Sequence, residues 1–278
     1  MRIIGTLRAV LVAGVALCAQ PALAAGDVPS RTAVASGTYR ITFLGIPFGT
    51  TQYNGKFDDT HYDATARFDT SGLVSIFWKA VINAKVRGTY DGARVSPALY
   101  DADYRGGKDK HQRVKLTYKN GESALFADPP YSLTKYAVTD AQKAEAVDPM
   151  SALTLILLGL KADKDNPCGT VAPIYDGRRR YDIELVPVRD ERFRLSRKLF
   201  DGTAHLCQIR YRQIAGYKQK ILDEGKRWPP IYGYFEDLPS KVAPGGRYVV
   251  ALKVWADTDW GRVAVTLVDR ALKETTTP

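Results

Sequence analysis

Residues 76–87 read IFWKAVINAKVR. Ile76, Trp78, Ala80, Ile82, Ala84 and Val86 share one parity. Lys79, Asn83, Lys85 and Arg87 take the other, with Phe77 and Val81 as exceptions. Successive side chains of a β-strand point to opposite faces, so this stretch predicts a long strand with one buried and one wet face. One-sided strands of this kind build antiparallel sheets.

The pattern continues on both sides. Downstream, Asp91-Gly92 turns the chain into a strand over 95–104. Val114, Leu116 and Tyr118 then alternate with Lys115, Thr117 and Lys119, and Asn120-Gly121 is a strong hairpin signal. Upstream, Tyr39–Phe43 reads as a strand after a polar leader, and Gly45, Pro47 and Gly49 mark a turn or a kinked strand crossing. Residues 53–57 and 62–68 are further strands around Asp58-Asp59. Asn54-Gly55 fits either a hairpin or a bulge.

One helix interrupts this β pattern. Asp148 is an N-cap, Pro149 suits the first helical position, and Met150–Leu158 is apolar nearly all round before Gly159. A helix with so little polar face is buried on most sides. The second half returns to strands at 174–175 and 178–188 around Asp176-Gly177. Further strands follow at 193–199 and 204–214 around Asp201-Gly202. A Pro-rich loop over 228–239 leads to a last hairpin, 247–256 with 262–268. The expected fold is mainly β: a curved antiparallel sheet, or open half-barrel, with one buried helix near 148–160. Residues 25–278 form the β-rich unit, in one lobe or in two hinged at that helix.

The composition agrees. Of 278 residues, 45% are hydrophobic, enough for a core, and disorder or collagen is excluded. Residues 1–24 read as a secretory signal peptide. Arg2 and Arg8 precede an apolar run over 9–19, Pro21 breaks it, and Ala22-Leu23-Ala24 offers a cleavage site. Cleavage after Ala24 removes two arginines and no acid, taking the net charge from +10 to +8 and leaving 254 of the 278 residues. The lysines and arginines are spread over every strand, which predicts no nucleic-acid partner. The charge fits attraction to an anionic membrane surface or cell wall.

Cleavage also leaves two of the three cysteines, Cys168 and Cys207. An even count in an oxidising compartment suggests one disulfide. A zinc site using Cys168, His205 and Cys207 competes with it, although no fourth ligand stands at a recognisable spacing.

Several motifs resemble one family of exported proteobacterial proteins, the domain of unknown function 3108. They are YRITFLGIPFG (39–49), Asp148-Pro149-Met150-Ser151, Cys168-Gly169, DGRRRYD (176–182) and CQIRYRQIAGYK (207–218). The resemblance implies a periplasmic β-rich protein with a Cys168–Cys207 pair and no known activity. In outline the family is similar to curved-sheet envelope proteins that carry lipids or lipoproteins.

Catalytic constellations are scarce. His61, His111 and His205 stand outside any metal or nucleophile motif, and no cofactor motif is present. Ser132-x-x-Lys135 spells a penicillin-enzyme motif but reads as strand, which separates the two side chains. Asp101/Asp103 and Glu236/Asp237 read as solvated charges rather than glycosidase carboxylates. In Arg178-Arg179-Arg180, Arg179 shares the inward face of Tyr181 and Ile183. It is either an ion-pair partner of Asp148 or Asp176, or an anchor for an anionic head group. The expectation is a non-enzymatic periplasmic binding protein for a lipid, lipoprotein or other apolar ligand with an anionic end. Arg179, Tyr181, Trp78 and Ile82 are its candidate ligand residues. The alternatives are an envelope-protein scaffold with a filled lumen, and an unrecognised envelope hydrolase.

Overall fold

The structure, a computed structural model, describes residues 30–72, 75, 79–92, 94–107, 110–132, 137–162, 166–196, 199–224 and 228–277. Trp78, Lys135, Cys18 and the 1–24 leader lie outside these residues. The first half contains β1 (Ser30–Phe43), β2 (Ile46–Phe57), β3 (His61–Thr70), β4 (Ala80–Asp91), β5 (Arg94–Gly106), β6 (His111–Lys119) and β7 (Glu122–Asp128). Two helices follow, α1 (Asp140–Ala144) and α2 (Pro149–Leu157). The second half contains β8 (Val171–Tyr175), β9 (Arg180–Arg194), β10 (Asp201–Ala215), α3 (Gln219–Glu224), β11 (Ile231–Pro239), β12 (Arg247–Thr258) and β13 (Gly261–Thr277).

All thirteen strands form one antiparallel sheet in the order β7-β6-β5-β4-β3-β2-β1-β13-β12-β11-β10-β9-β8. Each half is a meander, and β1 with β13 joins them at the centre. The sheet does not close, and β7 and β8 are its edges. Yet α2 packs against β4, β5, β8 and β12, strands far apart in this order. A single helix reaches all four only if the sheet curls around it. The edges also approach each other. A Cβ at Gly177, in the β8–β9 turn, would lie 2.9 Å from Leu125 Cδ1 on β7 and from Val114 Cγ1 on β6. The expected half-barrel with a buried helix is therefore present.

From Ala80 onward the opening stretch follows its alternation except at Ile82, which was expected on the buried face but is 37% exposed. Ala80, Val86, Gly88 and Tyr90 are buried, whereas Asn83, Lys85 and Arg87 are exposed. The inward face joins a core with Phe57, Tyr62, Leu116, Leu155, Leu158 and Tyr248. Helix α2 starts where its cap predicts, with Met150 N (3.0 Å) and Ser151 N (2.9 Å) both donating to Asp148 Oδ1. It ends before Gly159, whose φ is 63°.

Elsewhere the strands run longer than their local signals. β1 begins at Ser30, not Tyr39, because residues 30–38 pair with 269–277 of β13. Asn54-Gly55 is neither hairpin nor bulge but regular β2. β9 and β10 form one long hairpin in which Asp201 pairs with Arg194, and Gly202 sits opposite Phe193 inside the ladder. The 228–239 segment is not all loop. Pro229 and Pro230 precede β11 and Pro239 ends it, positions where a missing N–H costs no central ladder bond.

One irregularity positions the site. β12 and β13 pair only over Lys253–Thr258 and Gly261–Thr266. Beyond that, β12 stays on β11 and β13 stays on β1. The two strands diverge and the sheet forks. Side chains bridge the fork lower down, where Ser240 Oγ donates to Glu274 Oε1 (2.5 Å).

Candidate functional site

The fork opens a cavity of about 580 Å³. Its walls include both unpaired strand edges, Tyr248–Ala251 of β12 and Leu267 with Arg270–Leu272 of β13. Phe235 and Leu238 of β11, Ile183 and Leu185 of β9, and Ile209 of β10 add apolar surface. The floor is α2, through Leu153, Ile156 and Leu157. Leu153 remains 42% exposed although the helix lies inside the curl of the sheet. An all-round apolar helix thus turns one stripe to the core and another to empty space.

Polar groups at the cavity are few. Arg270 is its one charged lining residue among the described residues. It pairs with Glu236 and donates to Leu199 O (2.8 Å), so its charge is already answered. Burial pushes the Tyr39 phenol up to about 12, against the opposing pull of Arg270.

A second, smaller pocket of about 260 Å³ lies where the β8–β9 turn meets β5 and β6. Ile82, Tyr100, Gln112, Tyr131, Arg178 and Arg179 line it. The structure therefore brings Arg179 and Ile82 together, but outside the fork cavity. Tyr181 stands beside them, its ring 4.8 Å from that of Tyr211. The guanidinium of Arg179 lies over the Tyr217 ring (5.4 Å) and that of Arg178 over Tyr131 (5.6 Å). Neither has a carboxylate ion pair among the described residues. Asp176 instead accepts from the backbone N–H of both (2.9 and 2.7 Å).

The buried arginine of the triplet is Arg180. It and Asp182 are both buried and ion-paired, and Arg212 reaches the other oxygen of Asp182. The Arg180 Nε also donates to Gln142 O of α1 (3.2 Å). Alternation places Arg180 and Asp182 opposite Tyr181, where outward, solvated side chains are expected, and the structure buries both instead. Helix α1 covers that face, so it is not wet. The capping box Thr139-x-x-Gln142 was the sequence signal for this helix.

Among the described residues Asp148 has no arginine partner. It is sealed under α2, where Ser151 Oγ donates to its Oδ2 (2.5 Å) and Tyr62 hydrogen-bonds to Ser151 Oγ (2.7 Å). Burial raises its pKa to about 6 despite these donors. The carboxylates considered for hydrolysis behave oppositely. Arg113 and Lys85 hold Asp101 below the ordinary range, and His111 and Arg105 do the same for Asp103. Glu236 and Asp237 are bound by Arg270 and Arg247. His61 meets Thr60 Oγ1 (2.8 Å) and Asp58 Oδ1 (3.2 Å) through the same Nδ1, which is not a relay between base and nucleophile. His205 bonds Asp190 (2.8 Å).

Cys168 and Cys207 form a disulfide with Cα atoms 5.8 Å apart. Both are fully buried beside Leu185, Phe235 and Val249. The bridge spans β9, tying the segment before edge strand β8 to β10, and consumes the thiolates that a zinc site would need.

No curated protein matches the chain. One similar solved structure is the beta-barrel-like protein of domain of unknown function DUF1849 from Brucella abortus. It is 14% identical, covers 88% of this chain and 98% of its own, and has a TM-score of 0.48. The family described as protein of unknown function (DUF3108) matches residues 38–267, which include α2, the disulfide and the β12 side of the fork, and the chain belongs to that family.

Proposed function

We propose that this is a non-enzymatic cell-envelope protein, exported by the 1–24 leader to the periplasm, that holds an elongated apolar ligand. The ligand is a lipid or a lipoprotein acyl chain. One observation carries the reading: the Leu153 stripe of α2 faces a cavity of about 580 Å³ walled by apolar side chains. Interiors are normally close-packed, and ligand sites run to roughly 300–1,000 Å³ with mostly apolar walls. The alternative of a scaffold with a filled lumen has no use for such a space. The buried disulfide supports an oxidising compartment.

The anionic end of the ligand lies at Arg178 and Arg179. Arg179, Tyr181 and Ile183 alternate along one face, so the fork cavity at Ile183 and the arginines are about 13 Å apart along the chain, within reach of one extended molecule. Arginine forks suit carboxylate and phosphate groups, and among the described residues these two have no carboxylate ion pair.

A fluorescent fatty acid tests the reading. Saturable binding that unlabelled fatty acid displaces, and that Leu153→Trp abolishes by filling the cavity, is expected. Binding unaffected by Leu153→Trp would move the ligand elsewhere, and no saturable binding would favour the scaffold.

A further inference from the structure

Two neighbouring hairpins end in exposed apolar side chains. Phe43 (36% exposed), Leu44 (61%) and Ile46 (56%) form the β1–β2 tip, and Trp260 (82%) forms the β12–β13 tip. The tips are one unit, because Leu44 N donates to Arg262 O (2.9 Å) and the Leu44 side chain lies against Gly261. We propose that this paired tip docks the protein on an anionic lipid bilayer, with Leu44 and Ile46 entering the acyl boundary and Trp260 at head-group level.

Three features select a bilayer as the occupant. Tryptophan favours the membrane interface, and aliphatic side chains favour the layer beneath it. Polar backbone entering that layer needs partners, and the tip supplies several. Besides the Leu44–Arg262 bond, Thr258 Oγ1 donates to Gly261 O (2.7 Å) and accepts from Trp260 N (3.2 Å). Charge adds a weaker pull, because Asp257 at the tip pairs with Arg262 and cancels its charge. Arg40 is exposed about 13 Å behind Leu44 along β1 and has no carboxylate partner among the described residues, which suits a lipid phosphate. The net charge of +8 after leader removal draws the whole molecule to an anionic surface. Asp259, exposed on the Trp260 turn, limits the depth to the interface. This proposal stands apart from the cargo reading, since a tip can dock whether or not the fork holds a ligand.

Vesicle co-sedimentation tests it, using the form that begins at Ala25, which retains every described strand. Vesicles of phosphatidylglycerol with phosphatidylcholine are expected to bind it, and vesicles of phosphatidylcholine alone to bind it less. Leu44→Asn with Ile46→Ser is expected to weaken binding at least about tenfold while the circular dichroism stays unchanged. Asparagine is chosen because Leu44 has φ 51°. Brominated lipid is expected to quench the wild-type tryptophan fluorescence, and to quench the Trp260→Phe variant less. Equal sedimentation of wild type and the double variant would overturn the proposal. So would failure to bind either vesicle, and a tip-dependent dimer seen in its place would assign the surface to a second copy.

Discussion

Gly261 leaves the space that Leu44 fills: a Cβ there would lie 2.1 Å from Leu44 Cδ2. Its φ of 124° is also one that residues with a side chain rarely adopt. The close approach locks the two hairpin tips together. Gly261→Ala should therefore cost about 1–3 kcal/mol in urea unfolding. Part of that loss should vanish in a Leu44→Asn background, where the methyl group meets a shorter side chain. Additive losses would mean that the strain is in the backbone alone.

Asp148 gives stability a specific pH dependence. An unfolded aspartate titrates near about 3.9, and burial raises Asp148 to about 6 in the fold. Between those values the native state keeps a proton that the unfolded chain has released. The contribution of Asp148 is thus full below about pH 4, falls as pH rises towards 6, and is flat above. The loss is on the order of 2–3 kcal/mol. Asp148→Asn keeps an acceptor for Met150 N and Ser151 N but cannot ionise. The difference between wild-type and variant urea stabilities should change across pH 4–6, and a constant difference would refute the assignment.

The disulfide closes a loop of about 40 residues, which the chain-entropy account values at roughly 3–4 kcal/mol. Cys168→Ser with Cys207→Ser should lower the urea midpoint by a corresponding amount. Wild type treated with reductant should show the same loss, whereas a loss in the variant alone would point to packing of the buried serines.

Asp182 joins Arg180 and Arg212, and Arg180 is buried. Removing the acid strands a buried cation, so Asp182→Ala should cost about 3–5 kcal/mol. Arg212→Ala should cost far less, because its side chain is mostly exposed. Equal costs would show that the pair is not the buried element.

Arg179 is exposed and stacks on Tyr217, so Arg179→Ala should shift the melting temperature little. It should weaken retention of an anionic amphiphile several-fold and leave a neutral apolar probe unaffected. A large stability loss with unchanged binding would return Arg179 to a purely structural role.

The parts legible in the sequence were those where local chemistry and tertiary packing agree. Parity placed Ala80 and Val86 on the inward face of β4 but misjudged Ile82, which is exposed, and Asp148, Pro149 and Gly159 bounded α2. The illegible parts depend on distant partners. Residues 30–38 carry only small inward residues such as Ala33 and Ala35, and they become strand because 269–277 lies alongside. β11 was hidden by the prolines that border it. The fork could not be read at all, since nothing in residues 247–252 or 267–272 announces that two adjacent strands part company. Arg179 and Ile82 do meet in one pocket, yet the larger cavity lies on the other side of Tyr181, set by ladder geometry rather than by any motif.

Native mass spectrometry of gently purified protein tests the central claim most directly. The account predicts a co-purified apolar species with an anionic end, at near-stoichiometric occupancy, which Leu153→Trp displaces. Wild-type protein that arrives reproducibly empty, at the bare mass of its chain, would contradict it.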